Sequence, residues 1–279
     1  MRPAIVKFFD QLIGTGFFVP DYAFMQTVAI LFGIFIVIKE AEKKGLDLKK
    51  VFYSSLIIII SAAVSSRVFV IIQNFENYSK DILSIFYFWK GGTASTGAYI
   101  GGFIALILLT KFYKIPVKRF LDCIAIPVSA AIFFGRIGCF LNGCCYGKIS
   151  GLPWVMHFPE GSGPYYDQLQ SGLITANQLS LPVHPTQLYE ALYALLLFLF
   201  LMLYKKYQKH DGELFAILFL LYPIGRFFNE FLRADDRGFI LIFSIPQLFS
   251  IIAIIGSIYF LVIKSRSHEK VKIDLPVNS

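Results

Sequence analysis

Seven apolar segments, separated by shorter polar stretches, follow one another along the chain. Each is close to the length of roughly 20 residues that a helix needs to cross the hydrocarbon core of a bilayer. None shows the residue-by-residue alternation of a barrel strand. The pattern predicts an all-α integral membrane protein with seven transmembrane helices, at residues 22–38, 51–74, 93–110, 120–141, 186–204, 213–232 and 244–263.

Composition agrees with this class. Hydrophobic residues make up 56% of the chain and charged residues only 16%, and the mean hydropathy is +0.65. A soluble domain of this size carries considerably more charge. No period of 20–50 residues repeats, so we expect a single membrane domain over 1–279. The first 20 residues lack the long apolar core of a signal peptide, and we expect a short amphipathic segment on the membrane surface.

Lysine and arginine are concentrated in alternate loops. The segments after spans one, three, five and seven carry five, four, three and four of them, whereas the intervening loops carry two, one and two. The positive-inside rule therefore places the N-terminus outside and the C-terminus in the cytoplasm. The net charge of +8 is then explained by topology and anionic lipid, and we expect no nucleic-acid partner.

Five charged residues inside the spans fall in the outer half of the membrane under this topology. They are Arg67, Arg136, Glu190, Arg226 and Glu230. Ionisable groups at such depth are costly and usually face a bundle interior or a wet cavity. The excess of arginine over glutamate favours an anionic ligand, and a guanidinium suits a phosphate diester better than an ammonium does. The alternative is a helix-stabilising Arg226–Glu230 pair, with Arg136 extending to the headgroups.

Two other segments are interpreted as structural elements rather than as parts of a binding site. The glycine-rich stretch 91–102 follows no strand, so a phosphate-binding loop is disfavoured there. Its small residues favour close approach of a neighbouring helix. Two sets of them are candidates: Ala94, Ala98 and Gly102, or Gly97 and Gly101. Residues 143–184, rich in glycine and proline, are long enough for a small extracytoplasmic cap.

The cysteines 139, 144 and 145 have the spacing C-x4-C-C rather than the C-x2-C of common zinc sites, so we expect no metal and no cofactor. A nucleophile, a disulfide partner and simple packing all stay possible for them. Packing or a disulfide is favoured over catalysis, because no base is adjacent in sequence.

Three segments carry a family resemblance: GRIGCFLNGCCYG at 135–147, HPTQLYE at 184–190 and GRFFNEFLR at 225–233. With YAFM at 22–25 and GGTASTGAYIG at 91–101, they resemble the bacterial prolipoprotein diacylglyceryl transferase family over residues 20–263. The resemblance implies the same seven spans and the same orientation, in the bacterial cytoplasmic (inner) membrane. It also implies that the diacylglyceryl group of phosphatidylglycerol is transferred to the lipobox cysteine thiol of a prelipoprotein, while glycerol 1-phosphate leaves.

The same resemblance assigns residues and partners. Arg136 and Arg226 match arginines that hold the phosphate, and they form the expected catalytic set together with Glu230 and Tyr22. The expected substrate-binding residues are Arg136, Asn142, Gly143, Gly147, Gln187, Tyr189, Glu190, Tyr222, Arg233 and Thr96. The expected partners are phosphatidylglycerol, prelipoprotein signal peptides with a lipobox cysteine, and membrane lipids.

The chain departs from the family pattern at two positions. Thr96 stands where the family usually has a histidine, and Cys139 stands where it commonly has asparagine. A threonine is no general base at neutral pH, so Glu230 or Tyr22 substitutes, or the thiol ionises in the arginine field. The alternative function is a phospholipid-binding relative with another transfer activity or none. A lipid translocator is disfavoured, because the polar groups do not continue through the inner half.

Overall fold

The computed structural model of the protein describes residues 21–86, 95–234, 239–240 and 242–273. The helices are α1 (Asp21–Lys43), α2 (Leu48–Gln73), α3 (Phe75–Lys80), α4 (Ser95–Phe112), α5 (Val117–Asn142), α6 (Gly163–Gln170), α7 (Thr186–Tyr204), α8 (Glu213–Glu230) and α9 (Ile245–Ile273). Short 3-10 turns occupy Ile82–Phe86 and Lys205–Tyr207, and strands β1 (Phe239–Ile240) and β2 (Phe243–Ser244) form a small antiparallel hairpin.

The long helices α1, α2, α4, α5, α7, α8 and α9 match the seven predicted spans in order, which confirms the all-α membrane class. By length and composition, five of the described helices could cross a membrane, and Gly97–Phe112 in α4 is a shorter apolar one. Helix α8 has 18 residues and carries three charged side chains, Glu213, Arg226 and Glu230. The predicted surface segment of the first 20 residues lies outside the described residues, and the orientation stays a prediction.

The fold groups into two compact units, one of residues 34–123 and one of residues up to 33 together with residues from 124 onward. In the 34–123 unit, α2 and α4 pack closely at two glycines. A Cβ on Gly97 would lie 2.6 Å from the Ser65 carbonyl oxygen, and one on Gly101 would overlap the Ser65 side chain. The structure therefore selects Gly97 and Gly101 from the two predicted sets; Ala94 lies outside the described residues.

Arg67 belongs to this same unit and has a structural role there. It is 4% exposed, and its Nη2 donates to the Ser84 carbonyl at 2.7 Å while its Nε donates to the Ile85 carbonyl at 3.3 Å. Its guanidinium carbon also lies 5.2 Å from the centroid of the Tyr78 ring. Arg67 thus ties the C-terminal part of α2 to the turn that follows α3.

The other unit places α5, α7 and α8 beside α1 and α9. The Phe32 ring of α1 packs edge-on against Phe134 of α5 at 5.7 Å and lies 6.1 Å from Phe198 of α7. Helices α7 and α8 approach closely at Gly225, where an added Cβ would overlap the Tyr193 ring. Helix α9 packs along α8. These contacts bring together the three helices that carry the predicted site.

Residues between α5 and α7 fold over a small apolar core of Tyr146, Phe158 and Val183. Backbone bridges pair Val183 with both Ile149 and Met156. The Tyr146 hydroxyl donates to the Asp167 carboxylate of α6. This ordered segment is called the cap below, and its bounds are residues 143–184.

Candidate active site

The loop after α5 ties three helices together at Gly147. The Gly147 N–H donates to the His184 carbonyl at 2.9 Å, and the Lys148 N–H donates to the Leu232 carbonyl at 2.8 Å. In return, the His184 N–H donates to the Lys148 carbonyl at 3.0 Å. The end of α5, the start of α7 and the end of α8 therefore meet at one point, and the charged side chains near those three ends are held together.

Glu190 is the centre of the resulting network. Its side chain is 1% exposed, and its Oε1 lies 2.8 Å from Arg136 Nη2 and 4.0 Å from Arg226 Nε. The Tyr222 hydroxyl donates to the same oxygen at 2.6 Å, and Asn229 Nδ2 donates to Oε2 at 3.2 Å. A carboxylate this buried requires such partners. Residues of α5, α7 and α8 thus meet on one anion.

Glu230 organises the neighbouring half of the network. Its Oε2 lies 2.5 Å from Arg226 Nη1 and 4.0 Å from Arg233 Nε, and its Oε1 accepts a hydrogen bond from the Ser244 hydroxyl at 3.1 Å. The Arg226–Glu230 pair of the alternative interpretation is therefore present. Arg136 differs from that interpretation, because it pairs with Glu190 instead of extending alone toward the headgroups.

We call the five charged residues of this network the arginine cluster; they are Arg136, Glu190, Arg226, Glu230 and Arg233. Among the residues that the structure describes here, three guanidiniums face two carboxylates, so one positive charge is in excess within the cluster. The side chain of Arg136 is 18% exposed, against 9% for Arg226 and 1% for Arg233, which makes Arg136 the most accessible guanidinium of the cluster. The cluster can accept an additional anion, with Arg136 nearest to solvent.

Two buried side-chain amides lie beside the arginine cluster. Gln187 is fully buried, and its Nε2 donates to the Cys144 carbonyl at 2.7 Å. Asn229 Nδ2 is shared between Glu190 and the Thr186 carbonyl. Their oxygens, Gln187 Oε1 and Asn229 Oδ1, accept no hydrogen bond from any described residue. Both are available to a ligand that carries hydroxyl donors.

The predicted residues at the end of α5 have different roles. Asn142 is exposed, and its side chain interacts with the Cys144 thiol. Gly143 has a φ of 68°, and a Cβ there would lie 2.8 Å from Ser162 Cβ, so this turn requires glycine. Its carbonyl accepts the Gly163 N–H at 3.0 Å at the start of α6. Gly143 therefore shapes the cap, and Asn142 lines a shallow surface depression beside it.

The described hydrogen bonds of the Tyr189 side chain are with the cap and not with the arginine cluster. Its hydroxyl accepts a hydrogen bond from Trp154 Nε1 at 2.9 Å and lies 3.1 Å from His184 Nδ1. Tyr22 lies at the other side of the site, where it interacts electrostatically with Arg136, and a Cβ on Gly138 would lie 3.2 Å from its ring. The Thr96 side chain lies outside the described residues.

Ser244 is a residue of the site that sequence reasoning missed. Its N–H donates to Gln247 Oε1 at 2.9 Å, and its Oγ accepts from the Gln247 N–H at 3.4 Å, which forms a capping box at the start of α9. The same hydroxyl reaches Glu230. The S-x-x-Q pattern at 244–247 indicates the capping box of α9, but nothing in the sequence indicates the contact of Ser244 with Glu230.

The three cysteines of 135–147 lie against this site. Their sulfur atoms are all within 4.8 Å of one another, and none of the described cysteines forms a disulfide. Hydrogen bonds from the Cys139 and Cys144 thiols, together with the nearby Arg233 guanidinium, lower the pKa of the Cys145 thiol. Of the possibilities that the sequence left open for these cysteines, the disulfide is absent among the described residues, although the thiols are close.

Replacing Gly147 by alanine tests the Gly147 junction, the point at which the ends of α5, α7 and α8 meet. The new Cβ would lie 2.6 Å from His184 Cβ and from the Leu232 carbonyl oxygen, and 2.8 Å from Thr186 Cγ2. Two of these neighbours are backbone or rigid groups, so we expect a destabilisation of about 1–3 kcal/mol, seen as a lower thermal unfolding temperature in detergent. Gly151→Ala is the matched control in the cap, because no atom lies within 4 Å of its added Cβ. Equal unfolding temperatures for the two variants would contradict the junction.

The chain is similar to known proteins over most of its length. The family model described as prolipoprotein diacylglyceryl transferase matches residues 11–263. A phosphatidylglycerol–prolipoprotein diacylglyceryl transferase of Clostridium tetani is 30% identical over 259 residues, which cover 93% of this chain and 96% of the relative. Similar proteins of the same name occur in Clostridium perfringens (31% over 243 residues, 87% and 90% covered) and Thermotoga maritima (30% over 267 residues, 91% and 84% covered).

Proposed function

The chain belongs to the prolipoprotein diacylglyceryl transferase family, and we propose that its arginine cluster holds the phosphate of phosphatidylglycerol during diacylglyceryl transfer. The protein is a membrane transferase, and its relatives are named for phosphatidylglycerol and prolipoprotein. We propose that the acceptor here is the lipobox cysteine thiol of a prelipoprotein signal peptide. We also propose that the reaction takes place in the bacterial cytoplasmic membrane and that membrane lipids contact the protein.

The observation that carries the proposal is the excess positive charge buried among α5, α7 and α8. Three guanidiniums and two carboxylates leave room for one more anionic group, and a phosphate diester supplies one negative charge. Gln187 Oε1 and Asn229 Oδ1 are suited to accept hydrogen bonds from the hydroxyls of a glycerol headgroup. This combination supports phosphatidylglycerol over a lipid without headgroup hydroxyls.

The reaction exchanges a carbon–oxygen bond for a carbon–sulfur bond. The acceptor thiolate attacks the glycerol carbon of the diacylglyceryl group that carries the phosphate. A thioether forms, the bond from that carbon to oxygen breaks, and glycerol 1-phosphate leaves with the electron pair. The phosphate gains negative charge as it leaves, so the guanidiniums bind the transition state more strongly than the substrate.

The acceptor thiol must also lose a proton. Thr96 supplies no base at neutral pH, and the Glu230 carboxylate is already held by Arg226 and Ser244. The excess positive charge of the arginine cluster favours the thiolate of the incoming cysteine, as neighbouring cations do for reactive thiols. Tyr22, which is 39% exposed, lies beside Arg136, but a tyrosine carries its own proton at neutral pH and so cannot take the proton of the thiol.

An assay with phosphatidylglycerol vesicles and a lipobox peptide tests the proposed function. We expect the purified protein to form the thioether-linked product, identified by its mass. The variant Thr96→His is expected to raise the initial rate at neutral pH, because it adds a proton acceptor at the family's histidine position. A folded protein that gives no product with either form would overturn the proposal.

The second candidate is a phospholipid-binding relative without this transfer activity, favoured by Thr96 and Cys139. Expression in a bacterium depleted of its own diacylglyceryl transferase distinguishes the two. Restored growth and lipoprotein modification support the enzyme. Failure despite normal membrane insertion, with retained binding of phosphatidylglycerol, supports the relative.

A further inference from the structure

Three thiols that the proposed transfer does not use lie together beside the arginine cluster. The transfer takes its reacting thiol from the prelipoprotein, so Cys139, Cys144 and Cys145 have no part in the bond exchange. Yet all three sulfur atoms lie within 4.8 Å of one another, and each side chain is partly buried. Sequence spacing gave no reason to expect this convergence, because C-x4-C-C differs from the usual metal-binding patterns.

The backbone brings the sulfur atoms together. Cys139 lies in the last turn of α5, and the Cys144 N–H donates to its carbonyl at 3.1 Å. The turn at Gly143, with a φ of 68°, is followed by a left-handed Cys145 with a φ of 63°, a conformation uncommon outside glycine. The chain therefore folds back and directs the two later cysteines toward the first.

The start of α7 then fixes this loop. Gln187 Nε2 donates to the Cys144 carbonyl at 2.7 Å, and the Thr186 hydroxyl donates to the Cys145 carbonyl at 2.8 Å. Both donors are fully buried. The three thiols are consequently presented by a backbone that is held at several points, as a preorganised ligand site requires.

We propose that Cys139, Cys144 and Cys145 form a three-thiolate site for one soft, thiophilic metal ion of the Zn²⁺ or Cd²⁺ class. A metal–sulfur bond of about 2.3 Å places the sulfur atoms of such a site about 3.8–4.0 Å apart, so the observed cluster needs little movement. Thiolates select soft and borderline ions over Mg²⁺ or Ca²⁺. A fourth coordination position stays open to water or another ligand.

Charge balance also favours the site. Binding of a divalent ion by three thiols releases three protons and leaves a complex with one negative charge. The Arg233 guanidinium interacts with the Cys145 sulfur, and Arg136 lies one turn before Cys139 on α5. These cations offset the charge of the complex. The three ligands take no part in the proposed transfer, but the site shares Arg136 and Arg233 with the arginine cluster.

Cadmium titration of the full chain in detergent is the direct test. The reduced protein is freed of reductant under anaerobic conditions and titrated with Cd²⁺, and sulfur-to-metal charge-transfer absorption is recorded in the ultraviolet. We expect one Cd²⁺ per chain, and Cd²⁺ should displace Zn²⁺ from a chain loaded with Zn²⁺, because thiolates prefer the softer ion. Each of the variants Cys139→Ser, Cys144→Ser and Cys145→Ser should lose more than about tenfold in affinity. Cys123→Ser is the matched control, because this buried thiol lies outside the three-sulfur group, and it should bind as wild type does.

A second measurement does not depend on the variants folding. Zn²⁺ should protect three thiols of the wild-type chain from alkylation, located by mass spectrometry of the peptides. The proposal is overturned if no charge-transfer band develops or if a well-folded serine variant binds as tightly as wild type. It is equally overturned if the isolated protein has a disulfide between two of the three cysteines, since this would identify a redox pair instead.

Discussion

Replacing Arg136 by alanine is expected to lower the kcat/KM of diacylglyceryl transfer at least about 10²–10³-fold, the loss typical for one charge-stabilising donor. Arg136 is the most solvent-accessible guanidinium of the arginine cluster, so under the proposed function it should be the first to meet an incoming lipid phosphate. Its loss leaves Glu190 bonded to Tyr222 and Asn229, with Arg226 at 4.0 Å. The fold should therefore survive while the activity falls.

The measurement is initial-rate kinetics with phosphatidylglycerol vesicles and a lipobox peptide, supported by lipoprotein modification in cells. Arg226→Ala should give a comparable loss, and Arg136→Lys should recover only part of the rate, because an ammonium lacks the planar fork that matches phosphate. Arg119→Ala, at an exposed arginine of α5 outside the cluster, is the matched control and should retain full activity. Normal lipidation by both alanine variants would show that the cluster does not hold the phosphate.

Glu190→Ala is expected to have the largest effect on stability. This side chain is 1% exposed and has contacts with two guanidiniums and two further donors, so its loss leaves buried positive charge without its counterion. Removing one partner of such a network costs about 3–5 kcal/mol. We expect a markedly lower unfolding temperature in detergent and a lower yield from membranes.

Glu190→Gln separates charge from shape in the same experiment. The amide fills the same volume and can still accept from Tyr222, so it should lose less stability than the alanine variant, although its charge is gone. Glu160→Ala, at an exposed glutamate of the cap, should leave the unfolding temperature within error. An unchanged unfolding temperature for Glu190→Ala would contradict the role of Glu190 as the central anion.

The helical architecture was predictable because membrane spans are encoded locally. Each of the seven long helices buries its own backbone hydrogen bonds, so apolar length alone predicts it, even for α8 with its Arg226 and Glu230. The charged residues of the site were found for a similar reason: polar groups are rare in spans, and they stand out against the apolar background.

The pairing within the site was not predictable in the same way. Sequence gives no partner for Arg136, and its contact with Glu190 depends on the Gly147 junction, which joins segments far apart in the chain. Ser244 was missed because its local role at the start of α9 explains it fully. The convergence of three thiols depends on the left-handed backbone conformation of Cys145, which a single sequence does not predict at a residue other than glycine.

If the arginine cluster holds the lipid phosphate, as we propose, its two carboxylates have a consequence for catalytic turnover. Between reaction cycles Glu190 and Glu230 act as resident counter-anions, so the guanidiniums are never bare in a low-dielectric environment. An arriving lipid must compete with them for the same donors, which limits the affinity of the resting enzyme. After bond exchange the carboxylates can reclaim those donors and help to expel the doubly charged leaving group, so an arrangement that weakens substrate binding also prevents inhibition by the product.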